Sequence, residues 1–245
     1  IMLLEGDEYL TSPLDRRSKF LWYEPHVSIV TGIAYDHINV FPTYDTYLQT
    51  FSAFLESHSA GAKCFAYAGD EDLKQLCIAT DTHVVYYDTP PYKTSGAGST
   101  VSINQQSYDL QIVGKHNIEN MHAAQLVCEE LGITTTDFYS AAASFAGAGR
   151  RMEKVYEQGS QVVYRDFAHS PSKLEATVRA IDEAYEGKLV AVFELHTFSS
   201  LTKDFLPLYQ STMNAADEAI VFYNEAVFAH KKMEYLSPDY VKNCF

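Results

Sequence analysis

Residues 107–131 read S-Y-D-L-Q-I-V-G-K-H-N-I-E-N-M-H-A-A-Q-L-V-C-E-E-L. Ser107 to Val113 suits a strand that runs into Gly114. From Asn117 to Leu131, the positions Ile118, Met121, Ala124, Cys128 and Leu131 recur at helical spacing, and Gly132 is placed to stop the helix. A strand, a glycine and a helix in that order form the repeating unit of an α/β protein, and the flanking sequence follows the same plan. Upstream, Ile1 to Leu4, Val27 to Ile33, Cys64 to Ala68 and His83 to Asp88 read as strands, the first of them buried. Tyr44 to Ser57 reads as a helix with Tyr47, Phe51, Phe54 and Leu55 on its apolar face. The Pro/Gly/Ser-rich stretch from Thr89 to Thr100 suits a surface loop or hairpin connection.

Downstream, Asp137 to Phe145 reads as a helix, and Ala146-Gly147-Ala148-Gly149-Arg150-Arg151 then breaks the periodicity. The pattern restarts as strand (Gln161 to Arg165), helix (Ser172 to Tyr185), strand (Leu189 to Phe193), helix (about Thr202 to Ala216) and strand (Ala219 to Tyr223). The expected fold is therefore α/β, with a mainly parallel sheet in a first domain of residues 1–149 and a second α/β domain of residues 150–245.

With 47% apolar and 20% charged residues, the 245-residue chain has the composition of a globular protein and not of a disordered one. Its net charge of −14 repels phosphate backbones and anionic lipid, and no basic cluster offsets it, so neither nucleic acid nor membrane is an expected partner. Cys64, Cys77, Cys128 and Cys244 lack metal-site or redox spacing and read as reduced and buried. No apolar run approaches a membrane span and no signal-like segment is present, so the expected compartment is the cytoplasm. Both ends look cut: the chain opens on the apolar Ile1-Met2-Leu3-Leu4 and stops at Cys244-Phe245.

Chemistry-bearing residues gather where strands end. Glu5-Gly6-Asp7-Glu8-Tyr9 follows the first expected strand, and a hard cation such as Mg²⁺ wants carboxylate oxygens at such an edge. A solvated acidic turn would look the same. Tyr35-Asp36-His37 follows the second strand, and His37 reads either as a group facing the same ion or phosphate as Glu5 or as a loop histidine. Asn117 and Asn120 share a helix face and offer paired donors and acceptors suited to a base edge, although Asn117 alone would serve as a cap. Asp166, in Arg165-Asp166-Phe167-Ala168-His169-Ser170-Pro171, can accept hydrogen bonds from a ribose or simply sit near a helix N-terminus. Arg150 and Arg151 can clamp a phosphate or pair with surplus acids. No G-x-x-x-x-G-K-[ST], complete G-x-G-x-x-G or G-x-S-x-G occurs in these residues.

Taken in order, Glu5-Gly6-Asp7-Glu8-Tyr9, Asp36-His37, Gly114-Lys115-His116-Asn117 with Asn120, Gly149-Arg150-Arg151-Met152-Glu153 and Asp166-Phe167-Ala168-His169-Ser170-Pro171 resemble the motifs of the Mur ligases, the ATP-dependent amide-forming enzymes of bacterial cell-wall precursor synthesis. The resemblance implies a central ATPase-type domain followed by a Rossmann-like C-terminal domain, both incomplete, with the UDP-sugar domain and the P-loop expected upstream of Glu5. It implies ATP and Mg²⁺ as cofactors. Glu5 and His37 would bind Mg²⁺, Asn117 and Asn120 the adenine end of ATP, Arg151 the phosphate region, and Asp166 the ribose or the substrate-side network, with Glu5, His37 and Arg151 carrying catalysis.

Glu5 to Tyr9 followed by Asp15-Arg16-Arg17-Ser18-Lys19-Phe20 is most like the branch that joins a murein tripeptide to UDP-N-acetylmuramate in recycling, and the L-alanine-adding branch is the alternative. Phe51 stands where several relatives carry a carbamylated lysine, and Ser170 where many have a second histidine. The implied chemistry is an acyl phosphate formed on the muramate carboxylate and attacked by an amine. A fragment of this kind, without the P-loop, is expected to be inactive alone. Rival expectations are a metal-dependent hydrolase using Glu5, Asp7 and His37, and a non-catalytic nucleotide-binding module.

Overall fold

A computed structural model describes residues 2–80 and 82–245. Its contacts divide the chain into two compact units, Ile1–Asp88 with His122–Gly132, and Thr89–Met121 with Ile133–Phe245.

The first unit is built on three parallel strands, β1 (Val27–Val30), β2 (Lys63–Tyr67) and β3 (Val84–Tyr87), adjacent in that order. Val27 pairs with Lys63, and Cys64 with Val84. Side chains alternate across a strand, so β2 sends Cys64 and Ala66 to one face and Phe65 to the other. On the first face they join Val30 and helices α1 (Tyr44–Glu56) and α2 (Glu71–Ala79), through Tyr47, Phe51, Phe54, Leu55, Leu73 and Cys77. On the second face, Phe65 and Tyr87 meet Ala123, Leu126 and Val127 from the second half of α3 (Lys115–Glu130). Helical cover on both faces suits a parallel sheet with apolar residues on each side. Thr43 starts α1 with a capping box to Thr46, and Asp70 caps α2 by accepting the Leu73 N–H.

The second unit begins with an antiparallel sheet of β4 (Tyr92–Ser95), β5 (Gly98–Ile103) and β6 (Gln106–Leu110). The β5–β6 turn uses Asn104 and Gln105, both at positive φ, as a tight hairpin requires. Val101, Leu110 and Ile112 pack with Ile118 and Met121 from the first half of α3 and with Tyr139 and Ala142 of α4 (Thr135–Ala142). A hairpin of β7 (Glu153–Gln158) and β8 (Gln161–Arg165) follows, then α5 (Pro171–Ala184). The parallel pair β9 (Val190–Glu194) and β10 (Glu218–Phe222), α6 (Ala226–Lys231) and α7 (Pro238–Asn243) complete the unit.

Several expectations needed correction. Residues 2–4 form no strand, and Met2 and Leu3 are 80% and 92% exposed; Ile1 lies outside the described residues. A buried strand needs a ladder partner and cover on both faces, and these residues gain neither from the β1–β2–β3 sheet. No element was expected between Ala68 and His83, where α2 lies. The continuous helix expected over Thr202 to Ala216 is instead a series of tight turns with one 3₁₀ segment, Leu206–Tyr209. Pro207 removes a helical donor and Ser211 takes a φ of 68°, so the backbone closes i→i−3 bonds such as Leu208 N–H to Phe205 and Gln210 N–H to Pro207. The buried Leu206 and Tyr209 still make this stretch part of a core.

Candidate functional site

In the first unit, an excursion from Asp7 to Phe20 folds back on itself through a bridge between Leu10 and Ser18 and bonds from Lys19 N–H to the Tyr9 carbonyl and Phe20 N–H to the Asp7 carbonyl. Its tip is stitched by Asp15, which takes two 3.0 Å bonds from Arg17, while the Arg17 guanidinium lies 3.5 Å from the Trp22 ring centroid. At its base, Asp7 accepts from Tyr9 N–H at 2.8 Å and from Lys19 Nζ at 2.5 Å. Burial pushes the Asp7 carboxyl up, but these two donors outweigh it and hold the group below its ordinary range.

Glu8 is in contact with the His37 ring, with Oε1 3.3 Å from Nε2. The buried Tyr47 of α1 donates to the same oxygen at 3.4 Å. Burial raises the Glu8 carboxyl, and the His37 contact together with Glu8's own backbone N–H more than reverses the effect. Glu5 is exposed, and its charge acts on Lys19. His37 sits in the left-handed region at φ 56°, where its N–H donates to Asp36 Oδ1 at 2.7 Å and the Tyr9 ring meets its imidazole edge-on at 5.3 Å. Phe51 is 8% exposed and packs against Phe20 and Tyr47, as its helical spacing predicts.

The assembly of Glu8, Tyr47 and His37 was not legible locally. Glu8 was one acid of several, and Tyr47 lies 39 positions further along the chain. Among the described residues, no three His, Cys, Asp or Glu side chains converge as a closed metal cage would need. The Glu8 carboxylate beside the His37 imidazole, with Asp7 close enough for its charge to act on that ring, is nevertheless the kind of donor set Mg²⁺ uses, since the ion usually takes one or two protein carboxylates and completes its shell with water and phosphate.

In the second unit, Gly114 has φ +90°, and a Cβ there would stand 2.6 Å from the Ala180 Cβ of α5 and 3.0 Å from the His116 ring. The chain therefore turns directly from Val113 into α3 with α5 packed close against the turn. Asn117 is the third residue of α3 and not its cap: its Nδ2 donates backwards to the Val113 carbonyl at 2.8 Å. Asn120 is exposed on the same helix. His116 Nδ1 is buried without a hydrogen-bond partner. Burial pushes the His116 imidazole below its ordinary value, with Asp166 opposing and Arg151 reinforcing the shift.

Asp166 accepts from Met152 N–H and Ala168 N–H at 2.6 Å each and from Thr177 Oγ1 at 3.2 Å, which leaves about one of the roughly four acceptor positions of a carboxylate for a ligand. Its bond to Met152 holds a stretch in which Arg150 and Met152 both take positive φ. Arg151 is exposed, 5.7 Å from the Phe167 ring centroid. Ser170 is buried at the N-cap of α5, ahead of Pro171.

Residues 8–128 match the family described as Mur ligase middle domain, and residues 150–239 that described as Mur ligase, glutamate ligase domain. A UDP-N-acetylmuramate–L-alanine ligase of Caldicellulosiruptor bescii is 28% identical over 235 residues, covering 90% of this chain and 50% of its own length. One from an Arthrobacter species is 31% identical over 229 residues, covering 88% and 49%. Among solved structures, a murein peptide ligase from Psychrobacter arcticus aligns with TM-score 0.61 and 20% identity over 98% of this chain and 51% of its own. MurF from Acinetobacter baumannii aligns with TM-score 0.67 and 15% identity, over 87% and 54%. The structural likenesses establish the fold. The chain spans about half the length of the curated relatives it matches.

Proposed function

Since the chain belongs to the Mur ligase family, carrying its middle and C-terminal domains in order, we propose that the whole protein is an ATP-dependent ligase that joins an amine to the carboxylate of UDP-N-acetylmuramate in the cytoplasm. The observation that carries this reading is the succession of both domain matches along one chain. L-alanine is the amine favoured by the names of the curated relatives. A second reading, the murein tripeptide L-alanyl-γ-D-glutamyl-meso-diaminopimelate, is favoured by the stitched excursion carrying Asp15 to Phe20 and by the murein peptide ligase that aligns over 98% of the chain.

In this proposal Glu5 and His37 hold Mg²⁺, which would neutralise phosphate charge when bound. Asn117 and Asn120 read the adenine end of ATP, the remaining acceptor position on Asp166 takes a ribose hydroxyl, and Arg151 serves the phosphate region. The carboxylate is activated as an acyl phosphate, the amine attacks its carbonyl, and phosphate leaves with the amide formed. The chain's own residues contribute by positioning and by matching charge. Among the described residues no helix is long and apolar enough to cross a membrane.

The test is ADP release by the purified full-length protein with ATP, Mg²⁺ and UDP-N-acetylmuramate, supplied with L-alanine or with the tripeptide. ADP formation that depends on one amine, with the corresponding amide in the product, supports the ligase and selects its branch. ATP hydrolysis indifferent to both amines, or no turnover with either, refutes it.

A further inference from the structure

His37 is held more tightly than a loop histidine needs to be. Its left-handed backbone is fixed by Asp36 on the N–H side and by Val40 and Phe41 N–H groups donating to its carbonyl at 2.8 and 2.9 Å. Non-glycine residues rarely adopt this conformation, and it persists where surrounding bonds over-determine it. On the ring side, Tyr9 packs edge-on, and its hydroxyl accepts from Asn39 Nδ2 at 2.5 Å. Glu8 adds a further constraint at Nε2. Glu8 is itself anchored, because Tyr47 donates to the same oxygen from the buried face of α1, whose neighbours Phe51 and Phe41 fix the phenol ring. A continuous path therefore runs from the core through Tyr47 and Glu8 to one nitrogen of the imidazole.

We propose that Glu8 is the positioning residue for His37, holding the neutral imidazole in the Nε2–H form and fixing the ring direction that His37 presents to a divalent cation. The inference rests on the reading of His37 as a cation-side group and adds the residue that aims it. A carboxylate behind a histidine fixes its tautomer and strengthens it as a ligand, and removing such a partner typically lowers metal affinity by about 10- to 100-fold. Glu8 thus acts through His37, whereas Glu5 is the carboxylate left exposed toward solvent.

The experiment is ¹⁵N-histidine NMR of the purified, metal-free protein at pH 8.5, with the His37 resonances assigned from H37N, followed by Mn²⁺ binding measured by electron paramagnetic resonance. The wild type should show His37 as Nε2–H. E8A should shift it toward a mixture of tautomers and weaken Mn²⁺ binding by about tenfold. E8Q keeps an acceptor oxygen and should retain the wild-type tautomer and an affinity within about threefold. Thermal melts of all three separate this effect from unfolding, and E8Q keeps the proposal testable if E8A does not fold. Unchanged His37 resonances in E8A overturn the proposal. So does an E8Q that loses as much affinity as E8A, since the charge of Glu8 would then itself be the ligand. A wild type that binds no Mn²⁺ but shows the tautomer shift removes the cation reading while leaving the Glu8–His37 coupling standing.

Discussion

Replacing Gly114 with alanine adds one methyl group at the turn where the chain enters α3, and the structure gives two separate costs. The first is conformational: φ +90° lies where a side chain is strained, at about 1–2 kcal/mol for the left-handed backbone. The second is steric, because the new Cβ would fall 2.6 Å from Ala180 Cβ, well inside contact distance, and overpacking of this kind costs about 1–3 kcal/mol. Together they come to about 2–5 kcal/mol. For a chain of this size the midpoint of thermal unfolding should then fall by roughly 4–20 °C, at about 2–4 °C per kcal/mol. The steric part alone should respond to Ala180. A180G removes the methyl group on the other side, at the cost of about 1 kcal/mol for glycine inside a helix. The double variant G114A/A180G should therefore be more stable than the sum of the single effects predicts, by about 1–3 kcal/mol. Chemical denaturation of the four proteins measures this coupling. A coupling below about 0.5 kcal/mol, or a G114A protein as stable as the wild type, would falsify the close packing of α5 against the turn.

Three further outcomes are expected. The His116 imidazole is depressed below its ordinary value of 6.5 by burial, so the unfolded chain binds the proton more tightly; its contribution to stability is present above about pH 6.5 and is lost as pH falls through the lower folded value. Melting midpoints between pH 7.5 and 5 should fall more steeply in the wild type than in H116Q, and parallel curves would refute the assignment. In D166N one of the backbone N–H groups of Met152 and Ala168 faces an amide NH₂, at about 1–3 kcal/mol, so the midpoint should drop by about 2–12 °C; an unchanged melt would show that Asp166 does not tie this loop. F51A empties a ring site between Phe20 and Tyr47 and should cost about 3–5 kcal/mol by denaturant titration, whereas a loss under about 1 kcal/mol would place Phe51 outside the core.

Where a property is local and periodic, the order of residues was enough. The apolar face of α1 repeats every three to four positions, and Tyr47, Phe51, Phe54 and Leu55 are all buried, because helical geometry alone brings them onto one side. Gly114 between a strand and α3 was readable for the same reason: only glycine tolerates both the turn and the close approach. Composition and the order of the strand-end motifs likewise carried the α/β class and the family. What lay beyond the sequence was whatever depends on partners distant along the chain. Ile1 to Leu4 is apolar enough for a buried strand, yet the described part of that run gains no ladder neighbour, and strand burial is conferred by neighbours. Thr202 to Ala216 has a helical pattern, but Pro207 breaks its hydrogen bonding and buried contacts of Leu206 and Tyr209 stabilise turns in its place. At the acidic motif, the residue types alone did not single out one carboxylate, and the choice of Glu8 as the one facing the His37 ring came from the fold-back of Asp7 to Phe20 and from Tyr47 on α1. A hydrogen bond reaches about 3 Å, and only tertiary packing decides which of several like side chains comes within that distance.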